Sequence, residues 1–253
     1  LVRLHHVDDV VDVMQSNELC DLYGLDTISC GNTVAAYLAS EDAFGDEGLI
    51  HETVEKIARR EGIGDTLAEG IARCHDELGV PNWTVKGLDF AAHEGRTLNG
   101  QGLAYAVANR GADHMYSTFY AWEYPLVGED DAFDPEGLEG KPPAVARQEN
   151  FRALEDCGVL CRFSRGMVAE HPDRVEALFE ADLEDLLAVG ARVVELERHF
   201  NNQRGFDRED DTVPYVDQLE GFEAALEEYY EVRGWTTDGT VPDEQIESGR
   251  LVG

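Results

Sequence analysis

Apolar residues recur with a helical period along most of this chain, and that spacing narrows the possible folds more than any other feature. Between residues 8 and 23, Val10, Val11, Met14, Leu19 and Leu22 fall near one side of a helix, which predicts that this side faces a core. Further helices are predicted at about 33–43, 49–60, 65–79, 102–109, 144–155, 174–200, 221–232 and 244–248. Residues 83–85 are the one short strand candidate, so we predict an all-α fold.

Capping and turn residues divide this helical pattern into elements. Asp8 or Asp9 is expected to cap the first helix, and Gly24 is expected to end it. Asp65 is expected to cap a later helix that Gly79 closes. Proline and glycine cluster at residues 123–143, which predicts a long loop that covers or binds something.

The charge balance excludes several kinds of partner. The chain has 53 acidic and 20 basic residues, with a formal net charge of -33, yet it also carries three tryptophans and many other aromatic residues. It is therefore expected to be a folded protein with an acidic surface, not a disordered acidic chain. Such a surface repels nucleic-acid phosphates and anionic lipid, and it suits a high-salt cytoplasm. An acidic mesophile protein is the alternative.

The cysteines indicate a reducing compartment. Their odd number, five in a long chain without a secretory segment, favours reduced thiols or metal ligands over a disulfide framework. No apolar run approaches the roughly 20 residues that span a bilayer, and no signal peptide opens the sequence. The chain begins at Leu1 within ordinary sequence, so we expect a fragment of a longer cytoplasmic protein.

Two short motifs could bind a ligand, and they share one pattern. Residues 21–26 place Asp21 and Asp26 on either side of a turn at Gly24. Two fixed carboxylates accept hydrogen bonds and suit a ligand rich in N–H donors, although they could also be solvated groups at a capped helix end.

The second motif has the same skeleton. Residues 156–161 begin at Asp156 and end at Leu160 and Cys161. The Cys161 thiolate could bind iron, or the residue could be a buried structural cysteine.

Both motifs have the form Asp-x-x-(Gly or Val)-Leu-(Asp or Cys), and this pairing resembles the aldehyde ferredoxin oxidoreductase family. Val159 stands where that family more often has glycine. Other stretches that resemble the family are residues 17–20, 62–70, 86–87, 103–106, 109–115, 196–206 and 229–235. The resemblance extends from about Val7 to Gly239.

The resemblance implies a tungsten or molybdenum bis-pterin cofactor and a 4Fe–4S cluster. Residues implied to bind the pterins are Asp21, Gly24, Leu25, Asp26, Asp156, Leu160 and Arg110. Cys161 is implied to bind the cluster, with the other three ligands upstream of Leu1. For Arg110, an acidic neighbour is the alternative partner to a pterin phosphate.

His114 is the implied catalytic residue, because a histidine of this family's Arg-Gly-x-x-His segment lies close to the metal. It could transfer a proton or hydrogen-bond the substrate carbonyl oxygen. The remaining histidines are predicted to be structural or solvated: His5, His6, His51, His75, His93, His171 and His199.

The implied reaction is oxidation of a small aldehyde to a carboxylic acid, with ferredoxin as electron acceptor. The resemblance also implies two discontinuous helical domains, residues 1–27 with 95–185 and residues 28–94 with 186–253. A β-rich N-terminal part would complete the protein, a homodimer is allowed, and the fragment alone is expected to be inactive. The alternatives are a related enzyme that acts on another carbonyl compound and a non-catalytic acidic helical scaffold.

Overall fold

The chain forms two compact units in a computed structural model that describes residues 9–124, 132–164 and 171–248. Unit 1 comprises residues 1–92 and unit 2 comprises residues 93–253. The discontinuous division into residues 1–27 with 95–185 and residues 28–94 with 186–253 stays a prediction.

Unit 1 consists of helices followed by one small hairpin. The helices are α1 (Val10–Tyr23), α2 (Thr27–Ser40), α3 (Glu47–Arg59), α4 (Ile63–Leu67) and α5 (Ile71–Leu78). Strands β1 (Thr84–Val85) and β2 (Leu88–Asp89) pair antiparallel, with Thr84 opposite Asp89. The strand candidate at residues 83–85 is thus a strand at Thr84–Val85, and this hairpin is the only regular structure of the described residues that is not helical.

Asp9, Gly24 and Gly79 mark helix ends in unit 1 as predicted, whereas α2 begins at Thr27, six residues before its predicted start. The Asp9 side chain accepts from the Val11 N–H at 2.8 Å, and Gly79 ends α5 in the left-handed conformation. The Asp65 prediction was wrong, because α4 already begins at Ile63 and Gly70, with a φ of 80°, separates it from α5. The backbone cannot stay helical through a residue of positive φ, so one predicted helix becomes two.

Most of the side of α1 that was predicted to face the core is exposed instead, although Leu19 packs against the core of unit 1. Val10, Met14 and Leu22 are 66%, 66% and 71% exposed, whereas Ser16 and Cys20 are buried. The helix packs on α3 and α2, and Cys20 lies in the core of unit 1 with Val13 packed against that core. Spacing identified residues that share a side of the helix, but it did not identify the side that packs.

Unit 2 is a second group of helices, in which the helix Lys141–Cys157 packs against several of the others. The helices are α6 (Asn99–Val107), α7 (Tyr120–Glu123), α8 (Lys141–Cys157), α9 (Pro172–Phe179), α10 (Leu183–Gln203), α11 (Phe222–Arg233) and α12 (Asp243–Ser248). Helix α8 packs against α6, α10 and α11. The helix predicted at residues 174–200 is divided near Glu180, which has a φ of 54°.

The predicted loop at residues 123–143 is shorter than expected. Glu123 ends α7 and Lys141 begins α8, while residues 125–131 lie outside the described part. Both ends of this segment are tied together inside the unit, because Lys141 Nζ lies 2.6 Å from Glu123 Oε1 and both side chains are buried. The same carboxylate accepts from the Gly100 and Gln101 N–H groups at 2.7 and 2.8 Å and so caps α6.

Helix α8 is also joined to α11 by a buried ion pair between Glu149 and Arg233. Burial raises the pKa of Glu149, and the neighbouring Arg233 guanidinium opposes that rise. The Tyr229 hydroxyl donates to Glu149 Oε2 at 2.6 Å and stabilises the carboxylate further. Tyr229, Tyr230 and Trp235 are all buried, so this aromatic run belongs to the core.

No helix in the described ranges is both long enough and apolar enough to cross a lipid bilayer.

Replacing Gly190 with alanine tests the contact between α8 and α10. A Cβ at Gly190 would overlap the backbone of Asn150 on α8, so the two helices would have to separate. We expect Gly190→Ala to lower the free energy of unfolding by about 2–4 kcal/mol, measured by chemical denaturation. Gly48→Ala is the matched control, because its Cβ would meet only Asp46 Oδ1 at 3.5 Å. It should stabilise α3 by about 0.5–1 kcal/mol, and equal effects of the two substitutions would contradict the close approach.

Candidate functional site

The first motif forms a tight turn between α1 and α2. Gly24 takes the left-handed conformation with a φ of 69°, and its N–H donates to the Asp21 carbonyl oxygen at 3.3 Å. The Leu25 N–H then donates to the Cys20 carbonyl oxygen at 2.9 Å. The Leu25 side chain packs against the core of unit 1. These bonds make a Schellman turn, in which a left-handed residue ends a helix.

The second motif forms the same turn at the end of α8. The Val159 N–H donates to the Asp156 carbonyl oxygen at 3.1 Å, and the Leu160 N–H donates to the Glu155 carbonyl oxygen at 2.9 Å. Val159 has a φ of 54°, and Leu160 packs against a core cluster of unit 2. A valine therefore occupies the left-handed position that Gly24 occupies in the first turn. The predicted similarity of the two motifs is confirmed at the level of the backbone.

The carboxylates of the first turn are exposed and point away from the core. Asp26 caps α2, because its Oδ2 accepts from the Ile28 and Ser29 N–H groups at 3.1 and 2.7 Å. Asp21 Oδ2 accepts from Asn17 Nδ2 at 3.1 Å. Asp26 therefore caps a helix, which is one of the two roles that the sequence left open. The cap occupies one carboxylate oxygen and is compatible with ligand binding through the other.

An arginine that the sequence analysis missed holds the second turn against α8. Arg162 donates to Asp156 Oδ2 and to Glu155 Oε2, each at 2.8 Å, and to the Arg152 carbonyl oxygen at 3.0 Å. Cys161 lies between this arginine and the turn, and it is exposed. The sequence gives one indication of this role, which is that Arg162 lies six residues after an aspartate at a helix end.

The five cysteines, all within the described ranges, divide into a buried group and an exposed group, and none forms a disulfide. Cys20, Cys30 and Cys74 lie in the core of unit 1. A hydrogen bond between the thiols raises the pKa of Cys30 and lowers that of Cys20. Cys157 and Cys161 are exposed near the second turn. Within the described ranges no three histidine, cysteine or acidic side chains come together as a metal site, so a cluster at Cys161 needs ligands from elsewhere.

His114 is half-buried in unit 2 and lies within a group of aromatic rings. Its ring centroid is 4.9 Å from that of His93 and 5.9 Å from that of Tyr120. His93 in turn stacks on Tyr120, with centroids 3.7 Å apart and planes 7° apart. The sequence analysis treated His93 as structural or solvated, and only the fold brings it beside His114.

Arg110 lies near His114 in the chain and pairs with an acidic neighbour. Its Nε is 3.3 Å from Asp113 Oδ2, and its guanidinium lies 5.0 Å from the centroid of the Tyr116 ring. The sequence allowed Arg110 to pair with a pterin phosphate or with an acidic neighbour, and in the structure it pairs with the acidic neighbour. The side chain is 46% exposed, so a second contact, to a phosphate, stays a prediction.

Comparison with known proteins gives the family. The family model described as "Aldehyde ferredoxin oxidoreductase, domains 2 & 3" matches residues 3–251. The tungsten-containing aldehyde ferredoxin oxidoreductases of Pyrococcus furiosus and Thermococcus kodakarensis are each 33% identical over 276 residues, covering 95% of this chain. The protein of Pyrococcus abyssi is 31% identical over 280 residues. This chain spans 45% of the length of each of these relatives.

A solved structure has the same fold. The active site complex BamBC of benzoyl coenzyme A reductase, in complex with 1,5-dienoyl-CoA, matches 95% of this chain and 46% of its own with a TM-score of 0.72. Sequence identity is 19%, so this likeness concerns the fold alone.

These comparisons first define a class, that of the oxidoreductases. Within that class, the chain belongs to the aldehyde ferredoxin oxidoreductase family, in the portion described as domains 2 and 3. The predicted family and the predicted all-α class of this portion are both confirmed.

The side chains at both turns fit the cofactor that this family implies. Asp21, Asp26 and Asp156 are exposed carboxylates that can accept hydrogen bonds from a pterin, and Cys161 is an exposed thiol that can bind iron. Leu25 and Leu160 face their own cores, so they could contribute only backbone groups. Asp26 belongs to unit 1 and Asp156 to unit 2, and their convergence on one ligand stays a prediction.

Exchanging the left-handed residues of the two turns tests their equivalence. Val159 is 91% exposed and β-branched, so Val159→Gly should relieve strain at little loss of packing. We expect a gain of about 0.5–1 kcal/mol in the free energy of unfolding. A Cβ at Gly24 would meet nothing within 4 Å, so Gly24→Val should cost about 1–2 kcal/mol through backbone strain alone. A loss of stability in Val159→Gly, measured by the same denaturation, would count against the shared geometry.

Proposed function

We propose that this chain is the C-terminal part of an enzyme that oxidises small aldehydes to carboxylic acids and passes the electrons to ferredoxin. The observation that carries the proposal is the pair of equivalent turns, one bearing Asp21 and Asp26 and the other bearing Asp156 and Cys161. Membership of the family supplies the reaction class. The remainder of the protein would contribute the rest of the site, because the chain spans 45% of the length of its relatives.

The two turns would hold a tungsten or molybdenum bis-pterin cofactor, one pterin at each turn. An ionised aspartate accepts hydrogen bonds only, and the edge of a pterin ring presents several N–H donors. Charge-assisted bonds of this kind are shorter and stronger than neutral ones. The cofactor, when bound, supplies the two-electron chemistry, and the residues of this chain orient it and manage protons.

His114 is our candidate for proton transfer. Conversion of an aldehyde and water into a carboxylic acid releases two electrons and two protons, so a base near the substrate favours the reaction. A neutral imidazole can accept a proton, or its N–H can donate to the carbonyl oxygen of the aldehyde. Its half-buried position gives it access to a ligand while its neighbours fix the ring.

Cys161 would bind an iron–sulfur cluster whose other three ligands lie upstream of Leu1. Because Cys161 directly follows the second turn, pterin and cluster would be held by one short stretch, which favours electron transfer between them. Arg162 would keep that stretch in place. We also propose a high-salt cytoplasm as the site of action, since the formal net charge is -33.

Substitution of Asp26 and Asp156 tests cofactor binding in the full-length protein. Asparagine preserves the helix cap at Asp26 but replaces one acceptor oxygen with a donor. We expect Asp26→Asn and Asp156→Asn each to lower tungsten retention about tenfold, measured by metal analysis of the purified protein.

Two matched controls accompany this test. Asp46 caps α3 through its Oδ1, 2.9 Å from the Leu49 N–H, so Asp46→Asn should leave the tungsten content unchanged. Cys161→Ser should lower iron content, whereas Cys157→Ser, at the other exposed cysteine, should not. A full-length protein that contains neither tungsten nor iron would instead favour a non-catalytic scaffold.

Substitution of His114 tests the proton-transfer role. We expect His114→Asn to reduce kcat by about 10²–10⁴-fold with tungsten content unchanged, because the change removes the base and leaves both turns intact. His75→Asn, at a half-buried histidine beside Asp76, is the control. Unchanged kcat in His114→Asn, measured in steady state with a saturating aldehyde, would exclude His114 as the base.

A further inference from the structure

His93 is held in place at both its ring and its backbone. Its ring stacks on Tyr120, and Tyr120 is itself buried with its N–H donating to Gln101 Oε1 at 2.8 Å. The His93 carbonyl oxygen accepts from the Tyr105 hydroxyl at 3.0 Å, and Tyr105 is fully buried in α6. Buried elements therefore fix the position of this imidazole, which is itself half-buried.

The fixed ring of His93 lies against the ring of His114. Their centroids are 4.9 Å apart and their planes are tilted by 40°. This contact, together with the Tyr120 ring at 5.9 Å, restricts the orientations open to His114. A catalytic group needs such support, because small errors in its orientation reduce the rate strongly.

The two rings also compete for a proton. Each imidazole can become a cation near neutral pH, and two cations at this separation repel each other. When one ring carries a proton, this repulsion disfavours a second proton on the other ring. While His93 carries the proton, His114 is more readily neutral and able to act as a base.

We propose that His93 is a positioning residue for His114, which holds the His114 ring in place and favours its uncharged form at neutral pH. The inference rests on the proposed function, in which His114 accepts a proton from the reacting aldehyde and water. It assigns a role to a histidine that the sequence alone leaves among the structural or solvated ones.

Several other ionisable groups of the described residues lie near the pair in sequence or close to its neighbours. They are Glu94 and Arg96 in the loop after His93, Tyr105 on α6, Arg110 and Asp113 in the loop before His114, Tyr120 and Tyr124 at α7, and Tyr215. Glu94 pairs with Arg96 at 2.6 Å, and Asp113 pairs with Arg110 at 3.3 Å. These groups are still present in a variant in which only His93 is replaced. A change in the protonation of His114 in that variant therefore comes from the loss of the His93 ring.

The test measures the protonation of His114 directly in the full-length protein. Diethyl pyrocarbonate reacts with a histidine only while its imidazole is neutral. The rate at which His114 is modified, measured by peptide mass spectrometry from about pH 5 to about pH 8, therefore follows its protonation. The variants are His93→Phe, which keeps a ring to stack on Tyr120, and His93→Gln, which keeps a polar side chain. We expect the midpoint of the His114 profile to rise by about half a pH unit in both variants, because a neighbouring cation is removed.

The control and the activity assay separate the inference from the proposed function. His75→Gln, beside Asp76 in unit 1, should leave the His114 profile unchanged. In the holoenzyme, the acidic limb of the kcat profile should move to higher pH with the same midpoint change. A raised midpoint in a protein that does not oxidise aldehydes would support the histidine pair and contradict the proposed function. A midpoint that stays or falls in either His93 variant overturns the inference.

Discussion

The buried ion pair between Glu149 and Arg233 is the interaction on which the arrangement of unit 2 depends. Charged groups lose hydration when they are buried, at a cost of several kcal/mol each, so each of these groups requires the other. The Arg233 guanidinium also donates to Asn150 Oδ1 at 2.6 Å and to the Ala146 carbonyl oxygen at 3.0 Å, and it thereby fixes α8 against α11. On another side, the absence of a side chain at Gly190 lets α10 approach the α8 backbone. The turn that follows α8 is therefore supported by a helix with little freedom to move.

The same turn appears at the end of α1 with a different residue at its left-handed position. Glycine adopts a positive φ at little cost, whereas a β-branched residue pays for it in strain. Val159 tolerates the strain because Leu160 is anchored in the core and Arg162 holds Asp156 from the other side. Strain that the surroundings impose in this way is typical of ligand-binding segments. The turn therefore has the same backbone geometry with valine at this position as with glycine.

Structural and chemical roles overlap at several residues of the candidate site. Asp26 caps a helix through one carboxylate oxygen and can bind a ligand through the other. Arg110 pairs with Asp113 and still exposes nearly half of its side chain. Residues that already have a structural partner are oriented before any ligand arrives, which lowers the entropy lost on binding. The structural role and the functional role of such residues are therefore not exclusive alternatives.

The sequence by itself determined the helical class, both ends of α1, the C-terminal end of α5 and the two matching turns, because these features follow from local spacing and backbone preference. Only the tertiary structure decided that most of the apolar side of α1 is exposed, that Asp65 caps no helix and that His93 contacts His114. Periodicity shows which residues share a side of a helix, but the choice of packing side depends on shape and on residues far away in sequence. The Glu149–Arg233 pair could not be predicted from the sequence for the same reason. In the sequence its members look like ordinary surface charges, and only the packing of two helices buries them together.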